Sequence, residues 1–306
     1  MNLYSHAESN TRKTWIYLTG FFLFVIAVGW VMSYALNSPT LLIVAVVLSI
    51  AMSFGSYWFS DKLVLAMSRA KPIQKSDNPE LYRIVENLAI TAGLPMPRLY
   101  IIEDAQPNAF ATGRDGKHAV VATTTGLLSR LERVELEGVL AHELSHIGNK
   151  DMLVSTIVVV LVGVVAILAD FFFRMAFWGG FGNRDNDRGG GQARLLMILV
   201  ALVFMIVAPL VAQLIKMAVS RKREFLADAS GALLTRYPDG LARALEKISA
   251  DPHQLRSASD ATAHLYIASP FRGKEKTSWI HKLFSTHPPV EERVRALRGL
   301  KIENFV

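Results

Sequence analysis

Long apolar stretches alternate with mixed, amphipathic ones along this chain. The first apolar stretch runs from Trp15 to Leu36 and the second from Thr40 to Phe59, with only Asn37-Ser38-Pro39 between them. A third begins at Leu153 and is broken late by Asp170 and Arg174. A fourth runs from Leu195 to Leu214, with Pro209 inside it. About 20 apolar residues cross a bilayer as a helix, so the first two predict a transmembrane hairpin with a tight uncharged turn. The first is too long for a signal-peptide core and is followed at once by another span, so it reads as a retained anchor. Arg12 and Lys13 precede it, and Lys62, Arg69, Lys71 and Lys75 follow the second span. Cytoplasmic flanks carry such Lys and Arg excess, which places the N-terminus and everything after residue 60 in the cytoplasm.

Between the second and third stretches the pattern turns globular. Asn78-Pro79 predicts a helix start, Asn as cap and Pro at the first position, leading into Glu80–Ala92. Arg98–Glu103 is strand-like, and Asn108–Gly113 and His118–Thr124 flank Asp115-Gly116, a two-residue hairpin signal. Glu132–Ile147 predicts a helix that Gly148-Asn149 would end. The Gly179–Arg194 linker is rich in Gly, Asn, Asp and Arg. Beyond Arg221-Lys222-Arg223, amphipathic helices are expected at Pro238–Ser249 and Pro289–Leu300. The expected organisation is a membrane hairpin (1–60), a first cytoplasmic segment (61–152), a second apolar pair (153–219) and a closing segment (220–306). The fold class is α+β, mainly helical, with a small β-sheet in a cytoplasmic domain.

Composition sharpens this picture. The 306 residues are 51% hydrophobic and only 19% charged, too apolar for an ordinary soluble domain. There is no Cys, so a disulfide scaffold and a thiolate metal site are both excluded. The net charge of +7 sits beside apolar runs, where lipid headgroups and topology explain it better than nucleic acid.

The chemistry begins at His142-Glu143-Leu144-Ser145-His146. Helical residues i and i+4 share a face. Two imidazoles one turn apart can grip one zinc ion, with the intervening Glu as base. A catalytic site asks for a third ligand. The downstream carboxylates are Asp151, Asp170, Glu224, Asp228 and Glu246. Asp151 lies only five residues past His146 and reaches the same ion poorly. Glu224 and Asp228 stand one turn apart, so one could bind metal while the other accepts the outer N–H of a ligating His.

The order of features resembles the gluzincin metallopeptidases, and more closely the HtpX family of bacterial membrane heat-shock proteases, relatives of the CAAX prenyl endopeptidases. Two spans come first, then Asn108-Ala109-Phe110, the His142–His146 motif, two apolar stretches, Glu224-x-x-x-Asp228 and Thr286-His287-Pro288. The resemblance implies His142, His146 and Glu224 as ligands of one zinc ion and Glu143 as general base. It implies that Asp228 orients a ligand His, that Asn108, Ala109 and Phe110 form an edge strand for substrate, and that His287 stabilises the oxyanion. It further implies protein substrates, misfolded or damaged membrane proteins among them, and a place in the bacterial inner membrane with the site facing the cytoplasm.

Topology adds a constraint. His146 precedes the third and fourth stretches and Glu224 follows both, so the chain between them must cross the membrane an even number of times. His146 lies seven residues before Leu153, about 10 Å if helical, which puts the site near the headgroups. Two other readings compete. An intramembrane protease is disfavoured, because Arg130, Glu132, Arg133, Glu135 and Glu137 crowd the motif helix. A non-enzymatic scaffold or transporter with a structural zinc is disfavoured by the absence of Cys.

Overall fold

The computed structural model describes residues 3–35, 38–178, 221–258, 262–270 and 288–300, together with the helical positions Leu199 and Val203. The predicted fourth apolar stretch, apart from Leu199 and Val203, the glycine-rich linker and His287 lie outside the described residues. The first two helices are α1 (Leu3–Ala35) and α2 (Pro39–Met67). Within them Asn10–Val31 and Leu42–Met67 are long and apolar enough to cross a membrane. Both helices overrun the predicted spans. The overrun of α2 carries Asp61 toward the rest of the protein, where it meets Arg98 at 2.7 Å. That pair is half exposed and worth less than about 1 kcal/mol, so it sets direction more than stability.

A short strand β1 (Lys71–Pro72) leads to α3 (Pro79–Ala92). The predicted cap is present: Leu81 N–H donates to the Asn78 side chain, and Gly93 ends the helix in the left-handed region at φ 65°. Strands β2 (Arg98–Ile102), β3 (Ala109–Thr112) and β4 (Val120–Thr124) follow. The sheet order is β1-β2-β4-β3, with β2 and β4 parallel and the outer pairings antiparallel. The hairpin is real, but its connection is Gly113–Ala119 rather than two residues. Asp115 accepts the His118 N–H and caps a 3₁₀ turn at Gly116–His118, which takes up the chain that a tighter turn would leave in strand.

The sheet is covered on both faces, and period-two alternation sorts its side chains. Leu99, Ala109, Ala111 and Val121 face a core with Leu81, Ile84 and Val85 of α3 and Val139, Leu140 and Leu144 of α5 (Arg133–Gly148). Ile102, Phe110, Val120 and Ala122 face Val64 of α2, Val159 of α6 (Asp151–Trp178) and Tyr266. One face therefore packs on the globular helices and the other on the membrane-directed ones.

The remaining helices are α4 (Thr125–Arg130), α7 (Arg221–Thr235), α8 (Pro238–Ala250) and α9 (Val290–Arg298). Two glycines let helices approach α5 at backbone distance. A Cβ on Gly231 of α7 would sit 2.9 Å from the His142 N atom, and one on Gly138 would sit 2.7 Å from the Leu241 N atom of α8. That contact brings α7, with Glu224 and Asp228, onto the motif helix. Between α5 and α6 the chain bends by 82°, with Lys150 at φ 55°.

Candidate metal centre and active site

Helix α5 starts at a reciprocal cap between Glu132 and Glu135. Three turns later it presents His142, Glu143 and His146 to a cleft also lined by Ala111, Glu224 and the 264–267 segment. His142 and Glu143 are buried, and His146 is partly open to the cleft. The two Nε2 atoms lie 3.2 Å apart. Glu224 Oε1 is 3.6 Å from His146 Nε2, and Oε2 is 3.9 Å from His142 Nε2. One ligand atom from each of His142, His146 and Glu224 falls within 4.8 Å of the others.

The outer nitrogens of the two rings face carboxylates. His142 Nδ1 is 2.9 Å from Asp228 Oδ1, and His146 Nδ1 is 3.3 Å from Asp151 Oδ2. A carboxylate there favours the Nδ1–H tautomer and leaves the Nε2 lone pair for a ligand. Both lone pairs and the Glu224 oxygens then converge on one point, an electron-rich arrangement that a dication satisfies. The wider charge agrees. Glu143, Glu224, Asp228 and Asp151 are set against the two guanidinium groups Arg293 and Arg223. The donor set therefore fits a metal of zinc's preferences, two imidazoles and a carboxylate.

Arg293 organises one side of the cluster. Buried on α9, it donates to both Asp228 oxygens at 2.9 and 2.6 Å and to the Ile267 carbonyl at 3.0 Å. Burial alone would raise the Asp228 carboxyl. Arg293, with His142 beside it, reverses that and holds it down at about 2. Burial lowers His142 despite Asp228. Burial also acts to lower His146, but Asp151, Glu224 and Glu143 outweigh it and raise that imidazole to about 9. Glu143 is pushed up to about 7, chiefly by burial, with Glu224 adding to the effect, His146 opposing it, and the Ala111 N–H opposing it more weakly. A carboxyl poised near neutrality is suited to exchanging protons.

The chain matches peptidase family M48 over residues 75–301. It belongs to that family. It is 44% identical over 302 residues to the protease HtpX homolog of Thermoanaerobacter pseudethanolicus, covering 97% of this chain and 98% of that one. It is 50% identical over 266 residues to the protease HtpX homolog of Syntrophobacter fumaroxidans, covering 85% and 89%. Among solved structures it is similar to S. mikatae Ste24p at TM-score 0.50 and 16% identity, a likeness of fold over 96% of this chain; the chain spans 66% of the length of that one. This member of family M48 is thus a membrane metallopeptidase.

The structure brings together His142, Glu143, His146, Glu224 and Asp228. Of the other candidate acids, Asp170 is an exposed residue of α6, and Glu246 pairs on the surface with Arg298 at 2.9 Å. Asp151 lies behind His146 rather than beside Glu224. Asn108, Ala109 and Phe110 are buried. The Asn108 amide donates to the Ala268 carbonyl at 3.0 Å, and Phe110 packs edge-on against Tyr266 at 5.1 Å between centroids. Strand β3 is the last strand of the sheet, and at Ala109 its free edge already receives the Ile267 N–H at 3.0 Å.

Sequence reasoning missed Arg293, the role of Asp151 behind His146, and His264, which is buried and lines the cleft. Nothing local separates Arg293 from Arg295 and Arg298 on the same helix. For Asp151 a signal existed: a carboxylate just past the motif helix can fold back onto its last His if the chain bends there.

Proposed function

We propose that this enzyme is a zinc-dependent endopeptidase in which His142, His146 and Glu224 hold one zinc ion and Glu143 is the general base. The convergence of those three ligand atoms carries the reading. When bound, zinc supplies Lewis acidity, making water acidic near neutral pH and polarising a carbonyl. The rest falls to the chain. Glu143 takes a proton from the attacking water and returns it to the leaving amine. Asp228 and Asp151 hold the rings of His142 and His146 in orientation. His287 is assigned to the oxyanion; it lies six residues before Arg293, which α9 anchors against Asp228.

The substrate strand is placed along β3, by main-chain pairing that makes little demand on sequence. Alternation along an antiparallel strand turns Ala109 and Ala111 to the same edge. Ala109 is engaged by Ile267, while Ala111 lines the cleft, so Ala111 is the point of contact we assign to substrate. Asn108 and Phe110 support that strand from within.

We place the enzyme in the inner membrane of a bacterium, multi-pass, with the site facing the cytoplasm. The basic flanks of α1 and α2 support this, and α6 leaves the site directly toward the bilayer. Substrates are then cytoplasmic loops or ends of membrane proteins, damaged ones in particular. The test is Glu143→Gln. It should keep zinc and lose about 10²–10⁴-fold in turnover. Comparison of membrane proteomes from wild-type and variant cells should reveal fragments that need the carboxylate. Unchanged turnover, or loss of metal with it, refutes the assignment.

A further inference from the structure

We propose that Asn10, on the N-terminal membrane helix, is a positioning residue for the metal centre, so that the seating of α1 sets how firmly the metal is held. The inference rests on His146 being a metal ligand.

The two imidazoles are supported in different ways. His142 is backed by Asp228, which Arg293 holds in turn. All of these belong to the globular part. His146 is backed by Asp151, which is fixed both by Arg223 of α7 and by a residue of α1. Asp151 Oδ2 faces His146 Nδ1, while Oδ1 accepts from Asn10 Nδ2 at 2.8 Å and from Arg223 Nη1 at 3.3 Å. A carboxylate pinned through one oxygen has its other oxygen aimed. The shortest of these contacts is the one from Asn10.

Asn10 is 2% exposed although it stands where the first apolar span begins. Burying an amide is unfavourable unless its donors and acceptor are matched. Here both donors are used on site elements. Nδ2 also donates to the Asn149 carbonyl at 3.1 Å, at the 82° bend between α5 and α6. Oδ1 faces Arg223 Nη1 at 3.5 Å, and Arg223 is the neighbour of Glu224 in sequence. One side chain from α1 thus touches the end of the motif helix, the carboxylate behind His146 and the helix that carries the third acid. Thr14, one turn on, bonds back to the Asn10 carbonyl at 3.0 Å and is itself buried, so this part of α1 is seated rather than loosely apposed.

His146 has more need of such support. Its side chain is 16% exposed against 1% for His142. It is held less by packing and more by its outer partner. On this view the membrane hairpin is a part of the active site as well as an anchor.

The experiment uses full-length protein in detergent and in nanodiscs, with zinc affinity measured by chelator competition. The unfolding temperature of the metal-free protein is followed in parallel. Asn10→Leu is expected to weaken zinc binding about tenfold, the lower end of what loss of an outer partner costs. It should add nothing in the Asp151→Ala background, because the effect runs through that carboxylate. With Co²⁺ as probe, the visible bands of Asn10→Leu and Asp151→Ala should shift alike. Asn10→Ala, which removes the donors without bulk, carries the same comparison should the leucine variant not fold. Unchanged zinc affinity, or an equal further loss in the Asp151→Ala background, overturns the inference. If His146→Ala weakens zinc and the Asn10 variants do not, only this inference falls. If His146→Ala itself leaves zinc affinity intact, the ligand assignment falls first.

Discussion

Arg293→Met removes a buried charge while keeping much of the stem's volume. In the wild type the guanidinium is 1% exposed and grips Asp228 through two donors. Two magnitudes bracket the loss. Removing one partner of a buried pair costs about 3–5 kcal/mol, because the other charge stays buried and uncompensated. The fall of the Asp228 pKa from 3.8 to about 2 corresponds to about 2 kcal/mol. The second figure is smaller because it counts only the preference for the charged over the neutral carboxyl. It also names the variant's way out: Asp228 can take up a proton.

The pH dependence follows. In the wild type the Asp228 pKa lies below its ordinary value, so its contribution is complete above about pH 4 and lost only as pH falls toward 2. In Arg293→Met, burial without the guanidinium raises the carboxyl, and protonation then relieves the strain as pH falls. The assay is thermal unfolding of metal-free full-length protein at pH 8 and pH 5. At about 2–4 °C per kcal/mol for a globular part of this size, the loss at pH 8 should be about 6–20 °C, and smaller at pH 5. The double variant Asp228→Asn/Arg293→Met should lose less than the two single losses together. A loss under about 1 kcal/mol, an equal loss at both pH values, or simple additivity refutes the reasoning.

Gly231→Ala should push α7 off α5 at His142, cost about 1–3 kcal/mol and weaken zinc binding, as melting curves and chelator competition would show. Phe110→Ala should cost about 3–5 kcal/mol by emptying the contact with Tyr266, measured by denaturant or thermal unfolding. Zinc needs neutral imidazole, and in the metal-free site His146 is raised to about 9. Loading zinc at pH 7.5 should therefore release about one proton from it, read in weakly buffered solution with an indicator dye. Zinc affinity should accordingly rise with pH up to about 9, and a pH-independent affinity would contradict the geometry of the Asp151–His146 pair.

The candidate site was legible to different depths. His142 and His146 share a helix face, so their meeting follows from local geometry alone. The cap at Asn78 and the left-handed Gly93 are likewise properties of a few adjacent residues. Spacing set Asp151 aside but could not separate the other four candidate acids. Family resemblance pointed to Glu224, and the close approach of α7 at Gly231 is the physical event that delivers it. Asp151 stands too close to His146 in sequence to share its ion, and the 82° bend turns it behind that ring instead. The hairpin at Asp115 reads as a two-residue turn where the structure has a longer connection, because the same aspartate that favours a turn also caps the 3₁₀ segment found there.

Sequence by itself determined the two long apolar helices, the amphipathic helices, strands β2 to β4 and the paired imidazoles. All of these rest on hydrophobic patterning, hydrogen bonds and steric preferences that can be read within a single element or a strand pair. Tertiary structure alone decided that Arg293 would neutralise Asp228 from 65 positions away, and that Asn10 would brace Asp151 across 141. Those partners are chosen by which helices pack within reach of one another. That packing is fixed by burial of the whole core and by glycines that let backbones touch, and no short stretch of the chain encodes it.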